Sequence, residues 1–573
     1  MNAWGWTKQT GTVIALVITA VATATPFGTV SVPKDVTALL PDGAFVLGYT
    51  ESIKGLQQDL LKTVTAVEPQ MAMMVAMAGP VSSLNMMVKK EGKGPGSGGI
   101  VADAGAAFFA GPQDPTTGSP ISGVIFKVAD ATSLVASQPG MHIVSLPGSN
   151  WAALSNAQYT PSSASSSLSS GMLGASVAAN IDQAKLIKEY GPMIDGMLAM
   201  MQQAPPGLPE EEAATMQRLQ AANAAKVRMF MEMISEWNIG INLDGPVLDT
   251  LVRMTPTDLN MLTKPGAGLQ SLARMVPREM PVTAVLDLSS LKLMMEMSRG
   301  DFDTLPPAAK AKMEVLWPKW TKPLSTMKTG MAMGMSFSDN RLEIVSVMDT
   351  DDPSTTLQDI SEGWKALLAA DIGVSGKEIK ILRGTGIGYS VKIDMKKMID
   401  TMGMSGIMSL AHQEGQPDQM AMVQTSVDTF FGADGLPVRY LIEGNHIVTV
   451  VGNSRLVEAR ELVAGGGADN DLSKLFGDML APSTYAIDMD IRQLASDGLG
   501  MVQPMLGPMA AMLPPSIPAG DPVRLSIVGS SNGQTWDQIR IRTNMKNWYA
   551  MIKQMQAPPV ASRATEGSVA VGE

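Results

Sequence analysis

Serine and lysine residues recur in this chain at a spacing that could generate a nucleophile. A serine hydroxyl becomes nucleophilic when a base lies within hydrogen-bond reach, and a Ser-x-x-Lys pair can supply that base. The strings of this kind, with two short strings that accompany them in acyl-transfer enzymes, are Ser289-x-x-Lys292, Ser325-x-x-Lys328, Lys328-Thr329-Gly330 and Ser338-Asp339-Asn340. Together they would support acyl transfer through a covalent serine intermediate.

The order of these strings argues against that chemistry. In the penicillin-recognising enzymes the Ser-Asp-Asn string precedes the Lys-Thr-Gly string, whereas here it follows a few residues later, in a predicted hairpin turn. A nucleophile elbow, Gly529-x-Ser531-x-Gly533, needs a helix after the turn, but residues 535–542 alternate as in a strand. We therefore predict structural roles for all of these serines and no catalytic residues.

Histidine and acidic residues give no metal-binding pattern. The chain has no cysteine and three histidines, His142, His412 and His446, no two of which have the spacing of zinc ligands. The acidic runs that begin at Asp349 and Asp469 lack the glycine and the glutamate of a calcium loop. The sequence thus predicts no metal site and no cofactor.

Methionine is far more frequent than in an ordinary chain, with 46 residues. Dense groups are Met71, Met73, Met74 and Met77, and Met229, Met231 and Met233. Thioether sulfur binds cuprous copper, and the flexible side chain also suits an adaptable apolar groove for lipid or a protein segment. Because methionines occur in nearly every predicted helix and in one strand, we favour a third interpretation, that they fill the core.

The segment from Lys310 to Lys328 combines five lysines with Trp317 and Trp320. It could dock an anionic surface or a sugar chain against the indoles. We favour a linker in which the tryptophans pack inward and the lysines stay solvated.

Four segments place an aspartate between a strand and a helix. Each has a short apolar strand, the aspartate, and a helix-forming run with an apolar residue four positions later, which is a hydrophobic-staple spacing. The aspartates are Asp182, Asp287, Asp394 and Asp490, and a looser version surrounds Asp130 and Leu134. We predict that their carboxylates cap helix N-termini and play no catalytic role.

These aspartates recur at intervals of roughly 100 residues, which indicates internal repetition. Each unit ends in a predicted hairpin, and the turns are Asp244-Gly245, Asp339-Asn340, Gly444-Asn445 and Asn532-Gly533. Before the second turn, Met331, Met333, Met335 and Phe337 alternate with small residues, so their shared face is expected to be buried or covered. The predicted fold class is α+β, with repeated strand, capped-helix and β-hairpin units that form antiparallel sheets faced by Met-rich helices.

The first 24 residues are predicted to be a signal peptide. Lys8 precedes an uncharged apolar run, Thr12 to Ala24, that is shorter than the about 20 residues of a bilayer span. Small residues at its end offer cleavage sites, so the mature chain is expected to begin near Thr23 or Thr25, in the periplasm or cell envelope. Left uncleaved, the segment would be a membrane anchor and the chain's one expected membrane contact.

The same patterns suggest domain limits for the rest of the chain. They are 1–24 for the signal peptide, 35–160 for an N-terminal α+β unit, 171–275, 280–370, 377–466 and 470–556 for repeat units 1 to 4, and 557–573 for a disordered tail.

A net charge of -11 repels phosphate backbones, so we expect no nucleic-acid partner.

The segment Leu39 to Leu56 (LLPDGAFVLGYTESIKGL) resembles the opening of uncharacterised exported bacterial proteins classed as a domain of unknown function. The resemblance implies an envelope location and no established activity. With the patterns above, it favours an exported, non-enzymatic binding or scaffold protein for a hydrophobic or polypeptide partner. The alternative is an exported serine or carboxylate hydrolase with dispersed active-site residues.

Overall fold

The chain folds into one large sheet with helices on its faces. The computed structural model describes residues 27–161, 167–201, 210–259, 262, 268–338, 341–381, 384–401, 419–432, 434–478, 482–506 and 516–556. The predicted signal peptide, 1–24, and the predicted tail, 557–573, lie outside these residues.

Apolar runs bounded by turn residues form the strands. They are β1 Gly28–Thr29, β2 Val46–Thr50, β3 Val88–Lys90, β4 Ala106–Gln113, β5 Pro120–Lys127, β6 Leu134–Ala136, β7 His142–Ser145, β8 Trp151–Ser155, β9 Leu173–Gly174, β10 Val177–Asp182, β11 Ile234–Asp244, β12 Val247–Pro256, β13 Val282–Asp287, β14 Met327–Ser338, β15 Arg341–Thr350, β16 Val374–Glu378, β17 Gly386–Ile393, β18 Leu436–Glu443, β19 His446–Val451, β20 Ser483–Asp490, β21 Arg524–Ser531 and β22 Asp537–Asn544.

Runs rich in alanine, leucine, methionine and glutamate form the helices. They are α1 Lys34–Ala38, α2 Ile53–Val67, α3 Pro69–Ala78, α4 Pro80–Met87, α5 Gln183–Met201, α6 Glu210–Met233, α7 Leu269–Ala273, α8 Leu288–Arg299, α9 Pro307–Thr321, α10 Pro353–Ala369, α11 Met395–Thr401, α12 Gln419–Phe431, α13 Leu456–Ala464, α14 Asp471–Lys474, α15 Ile491–Leu506 and α16 Met545–Gln556.

Eighteen strands form a single antiparallel sheet. Their spatial order is β7-β8-β5-β4-β2-β10-β11-β12-β22-β21-β20-β13-β14-β15-β19-β18-β17-β16. One pairing, β12 with β22, therefore joins the strands formed before residue 257 to those formed after residue 281.

Each predicted repeat unit contributes a three-stranded meander, with one or two helices inserted between the first strand and the hairpin. The helices α7, α10, α13, α14 and α16 instead follow the last strand of a meander. Neighbouring units meet through like strands. First strands pair in β2–β10 and β13–β20, and last strands pair in β12–β22 and β15–β19. The predicted α+β class is confirmed, whereas the predicted domain limits stay a prediction.

All four aspartates cap helices as predicted. Each carboxylate accepts a hydrogen bond from the backbone N–H three residues later, at 2.9 Å for Asp182, 2.6 Å for Asp287, 2.9 Å for Asp394 and 3.2 Å for Asp490. The looser site is wrong, because Leu134 begins strand β6 and Asp130 accepts from the backbone of Thr132 in a turn.

The hairpin turns depend on glycines in the left-handed region. Gly245, Gly444 and Gly533 have φ of 57°, 60° and 67°, which a side chain would strain. The predicted turn at 339–340 lies outside the described residues, although β14 and β15 pair on either side of it.

Replacing Asp287 by alanine should lower the free energy of unfolding by about 0.5 to 2 kcal/mol, because the helix loses its N-cap acceptor. An asparagine side chain would retain an acceptor oxygen at this position, so Asp287→Asn should lose less. Urea titration of both variants measures the difference. Equal losses would show that the carboxylate acts through something other than capping.

Two large cores lie on the same face of the sheet. The first gathers Leu39, Leu47 and Phe109, and the second gathers Val285, Ala332 and their neighbours. A row of cross-strand partners connects them: Ala178, Gly240, Leu251, Arg540, Val528, Ala486, Val285 and Ala332. Since directly opposed residues point to one side, these cores mark what we call the closed face.

Candidate functional site

Three of the four serines that imitate enzyme motifs are engaged in local hydrogen bonds, and the side chain of the fourth, Ser338, is not among those that the structure describes. Ser289 Oγ donates to Asp287 at 2.9 Å, and Ser325 Oγ donates to the carbonyl of Lys322 at 2.7 Å. Ser531 Oγ accepts from the backbone N–H of Gly533 at 2.9 Å inside a hairpin loop. These bonds are the ones expected of helix starts and turns.

The histidines are dispersed over the sheet. His142 lies in β7 at one end of the sheet, and His446 lies in β19 near the other. His412 is outside the described residues. Within the described part of the chain, no group of three or more histidine and acidic side chains could hold a metal ion.

One cavity of about 760 Å³ lies between α8 and α9. It brings together Lys292 and Ser325, one from each Ser-x-x-Lys string, with the indole of Trp317. Charges of both signs line it, in Arg299 and Glu296 among others, so the cavity favours neither anions nor cations.

The segment Lys310 to Lys328 is helical for much of its length, so the linker interpretation is wrong. Most of α9 falls within it, followed by a short 3-10 turn. The expected inward packing holds for Trp317 and is wrong for Trp320, which is 40% exposed. Trp317 packs edge-on against Phe302, with ring centroids 5.1 Å apart. Lys310 pairs with Asp303 at 2.8 Å, so part of the basic charge is neutralised.

The opposite face of the central sheet is apolar and only half-buried, and we call it the open face. One row across five strands is Met333, Ala284, Ile487, Ile527 and Ile541, each directly opposite the next. All of these except Ala284 are half-buried. A parallel row is Met335, Val282, Met489 and Leu525, all half-buried.

On the closed face, the same strands carry side chains that are fully buried. Val285, Ala332 and Ala486 alternate with the open-face residues and are completely buried. The predicted burial of Met331, Met333, Met335 and Phe337 is thus only half realised, because the main core formed on the other face. A soluble domain normally covers both apolar faces of a sheet, which makes the open face a candidate binding surface.

Tyr485 contributes an aromatic ring to the open face. It lies opposite Leu286 and Gly529, and its ring occupies the space where a side chain on Gly529 would be. Burial raises the pKa of Tyr485 to about 12. Gly529 therefore serves ring packing on the sheet.

The open face offers almost no hydrogen bonds. Every strand from β12 through β22, β21, β20 and β13 to β14 pairs on both edges. Its backbone groups are consequently engaged within the sheet. The half-buried side chains of the two rows are aliphatic or thioether, while Tyr485 and Thr543 add hydroxyl groups to the same face. A partner on these rows meets mainly hydrocarbon and sulfur.

The interpretation of methionine as a core filler is wrong for several helices. Exposed methionines are Met71, Met73, Met74, Met77, Met86, Met193, Met197, Met200, Met229 and Met294. Helices α3, α5 and α8 therefore carry apolar surface toward solvent. Exposed apolar surface on this scale is typical of interaction sites.

A buried polar row crosses the closed face between the two cores. Directly opposed residues are Asn180, Asn238, Arg253, Gln538 and Ser530. Each has at least one buried polar atom without a hydrogen-bond partner among the described residues. Burial also lowers the pKa of Arg253, whose guanidinium lies 4.4 Å from the ring centre of Trp536.

Gln538 should destabilise the fold, because both polar atoms of its amide are buried without a partner among the described residues. Gln538→Leu is therefore expected to raise the free energy of unfolding by about 1 to 3 kcal/mol in urea titration. In the same strand, the Thr543 hydroxyl donates to Arg524 and accepts from Trp548, so Thr543→Val should be destabilising. A loss of stability in Gln538→Leu would contradict the unpaired state of the amide.

The sequence patterns did not predict the open face or the buried polar row. Strand β13 (VTAVLD) has apolar residues on both faces, which is the signal that could have indicated a second apolar face. The polar row joins strands about 290 residues apart, through a pairing that no local pattern encodes.

Comparison with known proteins identifies no family for this chain. No family model matches the chain, and no curated protein matches it. Two solved structures, crystal forms III and IV of TP0453, align with 51% of this chain and 98% of theirs, at 10% and 8% identity and TM-scores of 0.21 and 0.20. In the described residues, no helix has the length and apolar character needed to cross a membrane.

Proposed function

We propose that this chain is an exported, non-enzymatic protein that binds a hydrophobic partner on the open face of its central sheet. The observation that carries this proposal is the row of half-buried residues Met333, Ile487, Ile527 and Ile541, in which only Ala284, between Met333 and Ile487, is buried. Apolar surface of this extent gains free energy when a partner removes it from water, at about 25 cal/mol per Å².

The character of the face favours a hydrocarbon chain over a polypeptide. A polypeptide needs partners for its backbone N–H and C=O groups, and the paired central strands have none to give. An acyl chain has no such need. Methionine side chains adapt to flexible ligands, which suits the mixture of methionine and isoleucine on this face.

Export rests on the apolar run from Thr12 to Ala24 and its small-residue exits. N-terminal sequencing of the protein recovered from the cell envelope should begin near Thr23 or Thr25. An intact Met1 on soluble cytoplasmic protein would contradict export and would leave the binding proposal standing.

Titration of the purified protein with a fluorescent polyene fatty acid tests the binding proposal. We expect a saturable rise in probe emission that an unlabelled fatty acid of similar length reverses. The absence of saturable emission below the solubility limit of the probe would count against a hydrocarbon ligand.

A further inference from the structure

The helix α3 is mostly apolar and largely exposed: one side contacts α2, and the other sides face solvent. Its ten residues, PQMAMMVAMA, include no buried residue and no charge. Met73 and Met77 are 70% and 64% exposed, and Met71 and Met74 are also exposed. An amphipathic surface helix has a polar face for solvent, whereas α3 has a single polar side chain, Gln70 in its first turn.

Contacts at both ends of α3 hold the helix in its exposed position. At its start, Glu68 accepts a hydrogen bond from Lys553 of α16 at 3.1 Å, and bonds from Tyr549 and Lys553 lower the pKa of Glu68. At its end, Gly79 lies so close to Gln57 that a side chain would collide with it, and Gln57 accepts from the N–H of Val81 at 3.3 Å. The fold thus holds α3 in place.

We infer that α3 docks this protein onto a lipid bilayer by inserting into the interfacial layer of one leaflet. Acyl chains around an inserted helix would cover all of the apolar sides of α3 that α2 leaves exposed. A ten-residue helix is about 15 Å long, too short for a hydrocarbon core of about 30 Å, so α3 enters without spanning.

The charges around α3 complement anionic headgroups. From residue 69 to residue 88 the chain has no charge, and the next charged residues are three lysines, Lys89, Lys90 and Lys93, with one acidic residue, Glu91, among them. Lys90 pairs with Asp130, while Lys93 is exposed. Juxtaposed basic and apolar residues bind membranes more strongly than either does alone. This docking does not depend on the open face.

Vesicle flotation tests the inference with the full chain. We expect the protein to float with mixed phosphatidylcholine and phosphatidylglycerol vesicles, and the variant Met73→Ser, Met74→Ser, Met77→Ser to lose about tenfold or more in partition coefficient. The matched control is Met193→Ser, Met197→Ser, Met200→Ser on α5, which should float like the unaltered protein. Equal binding by all three proteins, equal loss in both variants, or no flotation at all would overturn the inference.

The absence of cysteine allows a site-specific measurement of insertion. An environment-sensitive fluorophore on Met74→Cys should shift to shorter wavelength when vesicles are added. The same fluorophore on Val457→Cys, a 65% exposed position of α13, should not shift. A shift of the Met74→Cys label without vesicles that grows with protein concentration would instead identify a second copy of the chain as the partner and would refute membrane docking.

Discussion

Replacing Ile487, Ile527 and Ile541 by threonine should weaken acyl-chain binding by about tenfold or more. These residues are consecutive in the central row of the open face, on strands β20, β21 and β22. Threonine keeps the β-branched shape that the strands favour, and it places a hydroxyl where the ligand would lie. Each hydroxyl must give up water without gaining a partner, and a loss of about 1.4 kcal/mol in total already gives the tenfold change.

The matched control carries three threonines at apolar positions elsewhere: Val315→Thr, Val457→Thr and Ile552→Thr. These side chains are 65%, 65% and 41% exposed, and none is in the open-face rows. The control should bind the fluorescent fatty acid as the unaltered protein does. If the two triple variants bind equally well, the open face is not the ligand surface.

Replacing Asp249 by alanine should lower the free energy of unfolding by about 3 to 5 kcal/mol, the largest loss that we expect from one polar substitution. The Asp249 carboxylate accepts two bonds from the guanidinium of Arg540, at 2.9 and 2.6 Å, and one from Arg542 at 3.2 Å. Asp249 and Arg540 are largely buried, so truncation leaves a desolvated cation without its main partner.

The cluster of Asp249, Arg540 and Arg542 connects the two halves of the sheet, so the loss of free energy of unfolding should affect the whole sheet. Asp249 lies in β12 and both arginines lie in β22, and among the described strands this pair joins the two halves of the sheet. Urea titration measures the loss, and Asp469→Ala is the control. Asp469 pairs with Arg274 on the surface, where such pairs contribute under about 1 kcal/mol. A loss below about 1 kcal/mol for Asp249→Ala would contradict the role of this cluster.

Local features of the fold could be predicted from the sequence because they are encoded within a few residues. The four capping aspartates and the hairpin glycines act on neighbouring backbone groups, so their spacing alone indicates a strand, a helix and a turn. The α+β class follows from counting such units.

The candidate site could not be predicted in the same way. Ile487, Ile527 and Ile541 form one row only because β20, β21 and β22 pair in a particular register. Which face of that row is covered depends on helices from other parts of the chain, and α7 and α13 pack on the closed face. The exposure of α3 was also hidden, because an uncharged run of methionine and alanine looks the same in a core.

Photolabelling with a diazirine-bearing fatty acid tests the open-face proposal most directly. After irradiation and digestion, mass spectrometry would locate the labelled peptides. We predict labels in strands β20, β21 and β22, within residues 483–490, 524–531 and 537–544, and we predict that excess unlabelled fatty acid removes them. Labels confined to helix α3, or labels that unlabelled fatty acid does not displace, would contradict binding at the open face.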